Sequence, residues 1–513
     1  MRKSFLLSCI VLALCGRALA GIVSVETAQA VALNYFKLNA PGAEKTTLTA
    51  TLKYTQAESN GAVDFYVFDM APVTGFVIVT AYDNVEPVIG FSTETNFKTN
   101  FKNNGLVDWT KSSAERINYA AVNNLAPSAE VSSHWLAYKQ GVNPAAERAS
   151  SVAPLAVTTW DQENDISNPP PYLYNLDCPY NSSEGERCVT GCVATAMAQI
   201  MAYWAYPSKG TGSYSYTSKG YGTQSVDFGT TTYNWAGMPS VLTKSTSTSA
   251  DELVDLISYD AGVAVAMEYG TDEQGGSGAW VLQSDAGSGK PCAQQAYVKY
   301  FGYDASTIQG LNKSSYSASA WTTLIEGELN AGRIVQYAGQ GPDGGHTWLC
   351  DGYNTKGLYH MNWGWGGADN GYFTITKLDV DGTSFNSDDE ALIGIEPPSK
   401  AGVEEAPFAS GSKNTTGGGK ILTFDAASVS TVMTLYPNPV QNNLNLQFGS
   451  STDGTITVNV YNVTGQRVIS TEQSSVAGNN MINLNTSALS AGVYVFEMQN
   501  NGEVQRQQFV IAK

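Results

Sequence analysis

Apolar and polar positions recur along this chain with two periods, and the dominant period changes from segment to segment. Between 25 and 37 the apolar residues Ala28, Val31, Ala32, Tyr35 and Phe36 fall at helical spacing, which predicts an amphipathic helix. Strand-like runs follow at 48–54, 64–69, 75–81 and 88–92, with a turn at Asp83-Asn84, and 109–125 predicts a closing helix. Residues 21–150 therefore read as a small α+β unit. Small residues with Pro144 and Pro154 mark 141–157 as a linker. The longest segment, 151–397, has its helical patterns first, at 191–203, 250–261, 292–301 and 318–330. Strands come after them, at 334–338, 346–353, 357–363 and 372–378. That order predicts an α+β domain with two subdomains. A second linker, 398–425, contains Asn414-Thr415-Thr416-Gly417-Gly418-Gly419. Beyond it, 426–513 alternates apolar and polar residues in six short runs, the pattern of a small antiparallel β-sandwich.

The N-terminus changes the compartment. Arg2 and Lys3 precede eleven apolar residues, and Ala18-Leu19-Ala20 forms a cleavage site, so residues 1–20 read as a signal peptide with the mature start at Gly21. A lipoprotein role for Cys15 fits poorly after the bulky Leu14. The formal net charge of −18, with only 14% of residues charged, argues against nucleic-acid binding through a basic face. Removal of the signal leaves Cys178, Cys188, Cys192, Cys292 and Cys350. Five is an odd number, so at least one thiol stays unpaired within the chain, and no C-x-x-C pair suggests zinc. Pairing among the other four is open; a Cys178–Cys188 link would close a short loop ahead of Cys192.

Candidate chemistry concentrates at few places. Gly191-Cys192-Val193-Ala194-Thr195-Ala196 sets a cysteine at the start of an uncharged helix, where the dipole and the unpaired N–H groups favour a thiolate. A thiolate nucleophile needs a base, usually histidine, and only His134, His346 and His360 are present. His346 follows Gly344-Gly345 and opens a strand 154 residues after Cys192, close to the spacing of papain-like enzymes. His134 reads as structural, and so does the mid-strand His360. The stretch 270–291, rich in Gly, Ser and Asp, reads as a functional loop. Its Gly289-Lys290-Pro291 lacks the residues of a phosphate loop, and Asp379-Val380-Asp381-Gly382 lacks those of an EF-hand. No G-x-S-x-G occurs, and three scattered histidines do not supply a hydrolytic metal site.

The motif at 191–201, with Tyr206-Pro207, Gly344-Gly345-His346 and Tyr359-His360-Met361-Asn362-Trp363-Gly364-Trp365-Gly366-Gly367, resembles the streptopain family of cysteine peptidases, peptidase family C10. The resemblance spans about 160–396 and implies a papain-like fold. It implies Cys192 as nucleophile, His346 as general base and then acid, and Gln162 as an oxyanion-hole donor. Trp363 would take the place of the asparagine that orients the histidine in papain relatives, and Trp365 would pack beside the imidazole. Residues 21–150 resemble the family's inhibitory propeptide, and 270–291 its glycine-rich loop beside the cleft. Leu435-Tyr436-Pro437-Asn438-Pro439 and Ala491-Gly492-Val493-Tyr494 resemble the sorting domain of type IX secretion in Bacteroidota. The implied protein is a secreted or outer-membrane-surface endopeptidase exported via the periplasm. It is made as a zymogen, acts on proteins and peptides, needs no metal or organic cofactor, prefers a bulky apolar residue one before the scissile residue, and has its own propeptide and the secretion machinery as partners. A transglutaminase or cell-wall amidase on the same fold, and a non-enzymatic surface adhesin with a vestigial catalytic pair, are the alternatives.

Overall fold

The computed structural model describes residues 21–99, 104–144, 150–163, 174–243, 248–341, 344–376, 389–398 and, with short breaks, 434–511. The expected signal peptide, the prolines at 169–171, the 379–382 stretch, Pro437-Asn438-Pro439 and the linker 399–433 lie outside the described residues. The chain divides into two compact units, Met1–Ser410 and Gly411–Lys513.

Helix α1 (Val25–Asn39) starts at Ser24, whose hydroxyl accepts the Thr27 N–H, and buries the predicted stripe Ala28, Val31, Ala32, Tyr35 and Phe36. Four strands follow: β1 (Thr49–Ala57), β2 (Val63–Ala71), β3 (Phe76–Thr80) and β4 (Val88–Ser92). Strands β3 and β4 are buried at every position because both faces are covered. Val77, Val79, Val88 and Phe91 pack towards α1, whereas Phe76, Ile78 and Ile89 join Leu106, Trp109 and Ile117 of α2 (Asn104–Val122). The sequence pattern places the start of α2 five residues too late. It misses α3 (Ala129–Gln140), which Ser128 caps and Gly141 ends in the left-handed conformation. His134 lies buried on α3 with Nδ1 2.8 Å from a Glu86 carboxylate oxygen.

The next part opens with the small hairpin β5 (Tyr180–Asn181) and β6 (Glu186–Arg187), then α4 (Cys192–Trp204), the ribbon β7 (Tyr214–Ser218) and β8 (Gly222–Val226), and α5 (Thr248–Ala264). Short helices α6 (Gln283–Ala286) and α7 (Ala293–Lys299), strand β9 (Gln309–Asn312) and helix α8 (Ala318–Asn330) precede the sheet strands. Those are β10 (Val335–Gly341), β11 (Gly344–Tyr353), β12 (Tyr359–Asn362), β13 (Gly371–Phe373) and β14 (Glu390–Ile393). Helix α4 is apolar all round and accordingly buried all round; Met197, Ile200 and Met201 each contribute about 1.5–3 kcal/mol by leaving water. Cys178, Cys188, Cys192, Cys292 and Cys350 are free thiols.

One antiparallel sheet crosses the boundary expected near residue 150. Its ten strands run β1-β2-β3-β4-β13-β12-β11-β10-β14-β9. The joint is β4 on β13, with Phe91 opposite Tyr372 and Gly90 opposite Phe373. Aromatic contacts seal it: Phe373 lies 5.0 Å from Trp109 and 5.2 Å from Trp363, ring centre to ring centre.

An ionic bridge lies over the joint. A register shift between Cys350 and Gly352 takes Asp351 out of the β11–β12 pairing. Its carboxylate meets His360 Nδ1 at 2.6 Å, while His360 Nε2 meets Glu94, beyond β4, at 2.8 Å. Burial alone would lower the pKa of His360; Asp351 and Glu94 outweigh it and raise the value to about 10.

The C-terminal unit forms two antiparallel sheets. β15 (Thr434–Tyr436), β16 (Asn443–Ser450) and β19 (Gly478–Asn485) make one. β17 (Gly454–Asn462), β18 (Arg467–Ser475), β20 (Gly492–Asn500) and β21 (Glu503–Ile511) make the other. Leu444, Leu446, Val458, Phe496 and Phe509 fill the space between them, the sandwich that the alternation predicts.

Replacing His360 with Gln in the full chain is expected to cost about 3–5 kcal/mol, because Asp351 is left buried without a counter-charge. Glu94→Gln should cost less, about 1 kcal/mol or under, since the Glu94 side chain is 42% exposed. With a folded pKa above the ordinary 6.5, the His360 contribution is complete below about pH 6.5 and fades as the pH rises through 10. Denaturant midpoints at pH 6 and pH 10 check both statements.

Candidate active site

Gly191, at φ +88°, turns the chain into α4, and a Cβ there would sit 2.7 Å from the Met267 sulfur. Only glycine fits this approach, and it leaves Cys192 as the first residue of the helix, half-buried, at the positive end of its dipole. His346 stands on β11. The two residues line one cavity of about 620 Å³, whose walls also include Val265, Trp280, Ala338 and Thr347. Gly275–Val281 forms much of one rim, so the glycine-rich stretch is at the cleft, as expected.

The cysteine and histidine are not hydrogen-bonded to each other. The His346 Nε2–H points to the Trp363 carbonyl, 3.4 Å away. Burial pushes the imidazole pKa down to about 4, opposed in part by that carbonyl. Burial also pushes the Cys192 thiol up, opposed by the backbone N–H groups of Thr347, Val193 and Cys192 itself. Burial thus disfavours the charged form of each group where it stands.

The N-terminal part reaches this site. Gly105, in the first turn of α2, approaches the site so closely that a Cβ added to it would lie 2.5 Å from His346 Cδ2 and 2.9 Å from Trp363 Cε3. Neighbouring contacts fix that helix and its approach. Trp109 Nε1–H donates to the Thr374 carbonyl, Lys98 N–H to Asp369, and the Ser92 hydroxyl to the Asn370 carbonyl. Nothing in the sequence pattern marks Gly105; Asn103-Asn104-Gly105 reads as a turn.

The remaining expected residues gather at the same place. Gln162 is buried, its amide 3.5 Å from the Gly364 carbonyl, and its own carbonyl accepts the Thr190 N–H just ahead of Cys192. Trp363 is fully buried, with its indole N–H on the Asp369 carbonyl. The Trp365 ring lies nearly parallel to His346, 6.4 Å away, and its indole N–H is buried with no partner among the described residues. Asn362 faces elsewhere: its amide donates to the Thr158 carbonyl and to Gln199. Gln199, on α4, also accepts the Trp160 N–H and the Thr158 hydroxyl, which locks the Gln162 segment to the nucleophile helix.

A cysteine at the tip of a buried helix, opposed across a cleft by a histidine on an antiparallel sheet, defines the class: a papain-like cysteine peptidase. Comparison with known proteins agrees. The Peptidase C10 family profile matches residues 170–373, the Spi protease inhibitor profile 20–117, and the secretion system C-terminal sorting domain profile 434–512. Streptopain of Streptococcus pyogenes is 30% identical over 350 residues, covering 65% of this chain and 81% of streptopain. The thiol protease/hemagglutinin PrtT of Porphyromonas gingivalis is 30% identical over 406 residues, covering 76% of this chain but 43% of PrtT, so the chain spans less than half of that relative. The solved prointerpain A fragment of Prevotella intermedia superposes with a TM-score of 0.55 at 27% identity, covering 69% of this chain and all of the fragment. The chain belongs to the streptopain family, Peptidase C10: it is a cysteine peptidase with a propeptide inhibitor domain before it and a secretion sorting domain behind it.

Gly105→Leu should overpack the contact with His346 by about 1–3 kcal/mol. The expected result is self-trimming of the full chain about 5- to 100-fold faster than native, read by intact mass over time.

Proposed function

We propose that this protein is a secreted endopeptidase that cleaves proteins by acyl transfer to Cys192 and that is held latent by its own first 120 or so residues. The observation that carries the reading is the close approach of Gly105 to His346, on the sheet that carries His346 across the cavity from Cys192; in this reading that approach holds the pair unpaired. With α2 withdrawn, the imidazole is free to approach Cys192. The Trp363 carbonyl, by holding Nε2–H, leaves Nδ1 as the basic nitrogen that takes the thiol proton. The thiolate attacks the scissile carbonyl, and the Gln162 amide with the Cys192 backbone N–H donates to the oxyanion. His346 then protonates the leaving amine, and water, deprotonated by His346, releases the acyl group. Trp365 covers the imidazole face and keeps bulk water off it.

Trimming falls at 141–149 in this reading. Beyond that stretch the chain is strapped to β11: Val152 and Tyr353 exchange backbone bonds, and Asp351 accepts the Leu155 and Ala156 N–H groups. The strap stays with the mature enzyme.

Native protein and Cys192→Ala, incubated from Gly21 onward under reducing conditions, test the reading. The native chain should shorten within 141–149, digest casein and take up an epoxide inhibitor at Cys192, while the variant stays whole and inert. A native chain that stays whole, inert and unlabelled even after limited trypsin treatment contradicts it. Gln162→Ala should lower kcat about 10²- to 10³-fold.

Acid should favour opening. The folded pKa of His346, about 4, lies below the ordinary 6.5, so the closed form is fully favoured above about pH 6.5 and loses up to about 3 kcal/mol as the pH falls towards 4. Initial self-trimming rates measured between pH 7 and pH 5 should rise as the pH falls.

A further inference from the structure

Helix α4 carries one polar stripe. Between Val193 and Ala202 only Thr195 and Gln199 are polar, and they stand three and seven residues after Cys192, so all three share one face of the helix. Both side chains are buried. Thr195 meets the Thr190 hydroxyl at 2.8 Å, beside the backbone bond by which the Thr190 N–H holds the Gln162 carbonyl. Gln199, one turn further on, gathers three donors on its side-chain oxygen: the Trp160 N–H at 3.1 Å, the Thr158 hydroxyl at 3.1 Å and the Asn362 amide at 3.2 Å.

These contacts close a circuit around Gln162. From Gln199 the Trp160 bond leads along the backbone to Gln162, whose amide reaches the Gly364 carbonyl at 3.5 Å. The Gly364 N–H donates to the side-chain oxygen of Asn362 at 3.2 Å, and the Asn362 amide returns to Gln199. That amide also donates to the Thr158 carbonyl at 2.7 Å, which fixes the way it faces. One oxygen on the nucleophile helix is thereby tied both to the segment that carries Gln162 and to the turn that accepts its amide. The Gln199 nitrogen has no such use. It is buried and finds no acceptor among the described residues, which destabilises the fold. What glutamine supplies here is the accepting oxygen, and the Trp160 N–H, which can only donate, keeps it facing that way.

We propose that Gln199 is a positioning residue for the peptidase reaction: its side-chain oxygen holds the Gln162 amide in place for the oxyanion that forms at Cys192. The proposal rests on the peptidase reading above, in which Gln162 donates to that oxyanion. Gln199 acts through Gln162 and its neighbours.

The test compares native enzyme with Gln199→Met, Gln199→Glu, Gln162→Ala and the double variant Gln162→Ala with Gln199→Met. Each full chain is trimmed by limited trypsin, and its active fraction is counted by epoxide uptake at Cys192. kcat and KM are then measured on one fluorogenic casein peptide. Gln199→Met should lower kcat about 10- to 100-fold and move KM by less than about threefold, the mark of an interaction realised in the transition state. In the Gln162→Ala background the same change should lower kcat by less than about threefold, because the amide it would misplace is gone. Gln199→Glu keeps an accepting oxygen and should hold kcat within about threefold of native. If Gln199→Met does not fold, Gln199→Asn, whose amide falls one methylene short of the same donors, is read in its place. A Gln199 that serves only the fold costs the same factor with and without Gln162, and that result overturns the proposal. So does a Gln199→Met enzyme as fast as native, or a Gln199→Glu enzyme as slow as Gln199→Met. If native enzyme cleaves the peptide and Gln162→Ala matches it, the proposal falls and the peptidase reading stands. If native enzyme neither cleaves the peptide nor takes up the epoxide, the peptidase reading falls and takes the proposal with it.

Discussion

The pairing of β4 with β13 is the constraint on which the rest of the molecule depends. Two register pairs make one sheet of two halves. Once they form, Phe91 stacks on Tyr372, Phe373 meets Phe76 and Trp109, and α2 has only one place to lie. That place puts Gly105 against His346. In the reading proposed above, latency follows from sheet continuity. The N-terminal part adds strands to the catalytic sheet and sets a helix end close to the histidine. Cutting the connecting segment does not by itself undo such a joint, because its aromatic seam and the Glu94–His360–Asp351 bridge remain.

The same arrangement accounts for the electrostatics of the site. A thiol and an imidazole that face each other in water-excluded surroundings stabilise each other as an ion pair; kept apart, each is driven to its neutral form by burial. The two groups shift in the directions expected of separated partners, the thiol up and the imidazole down. His360, the same residue type only 14 positions further on, shifts the opposite way because two carboxylates meet it. Sequence neighbourhood says nothing of this difference; the placement of charges decides it.

Much of the fold was legible in the sequence because the periodic segments are long and bury one clear stripe or two full faces. Helix α8 and strand β4 have the bounds that their patterns predict, and the C-terminal sandwich follows from simple alternation. Helix α3 was missed although Ser128 and Gly141 mark both its ends, because its apolar residues are few and scattered between polar ones. Strands β9 and β14 were missed because four-residue strands carry almost no periodic signal. Cys192, His346, Gln162, Trp363 and Trp365 are the residues that motif and resemblance single out, and the structure places them on neighbouring elements. The places of Gly105 and Glu94 were not legible. Each lies against a histidine more than 200 positions away, and a glycine or a single glutamate has no local signature. The expected division near residue 150 follows composition, whereas the sheet ignores it.

Latency as proposed here turns on His346 being held by the N-terminal part as a neutral, buried base. The direct measurement is a histidine NMR titration of Cys192→Ala protein, intact and after removal of the N-terminal part, with His346 assigned by a His346→Asn variant. Only three histidines contribute signals. His346 is expected to stay neutral down to about pH 4 in the intact chain and to titrate at a higher pH once that part is gone. A His346 that titrates near 6.5 in the intact chain, unchanged by the removal, would contradict it.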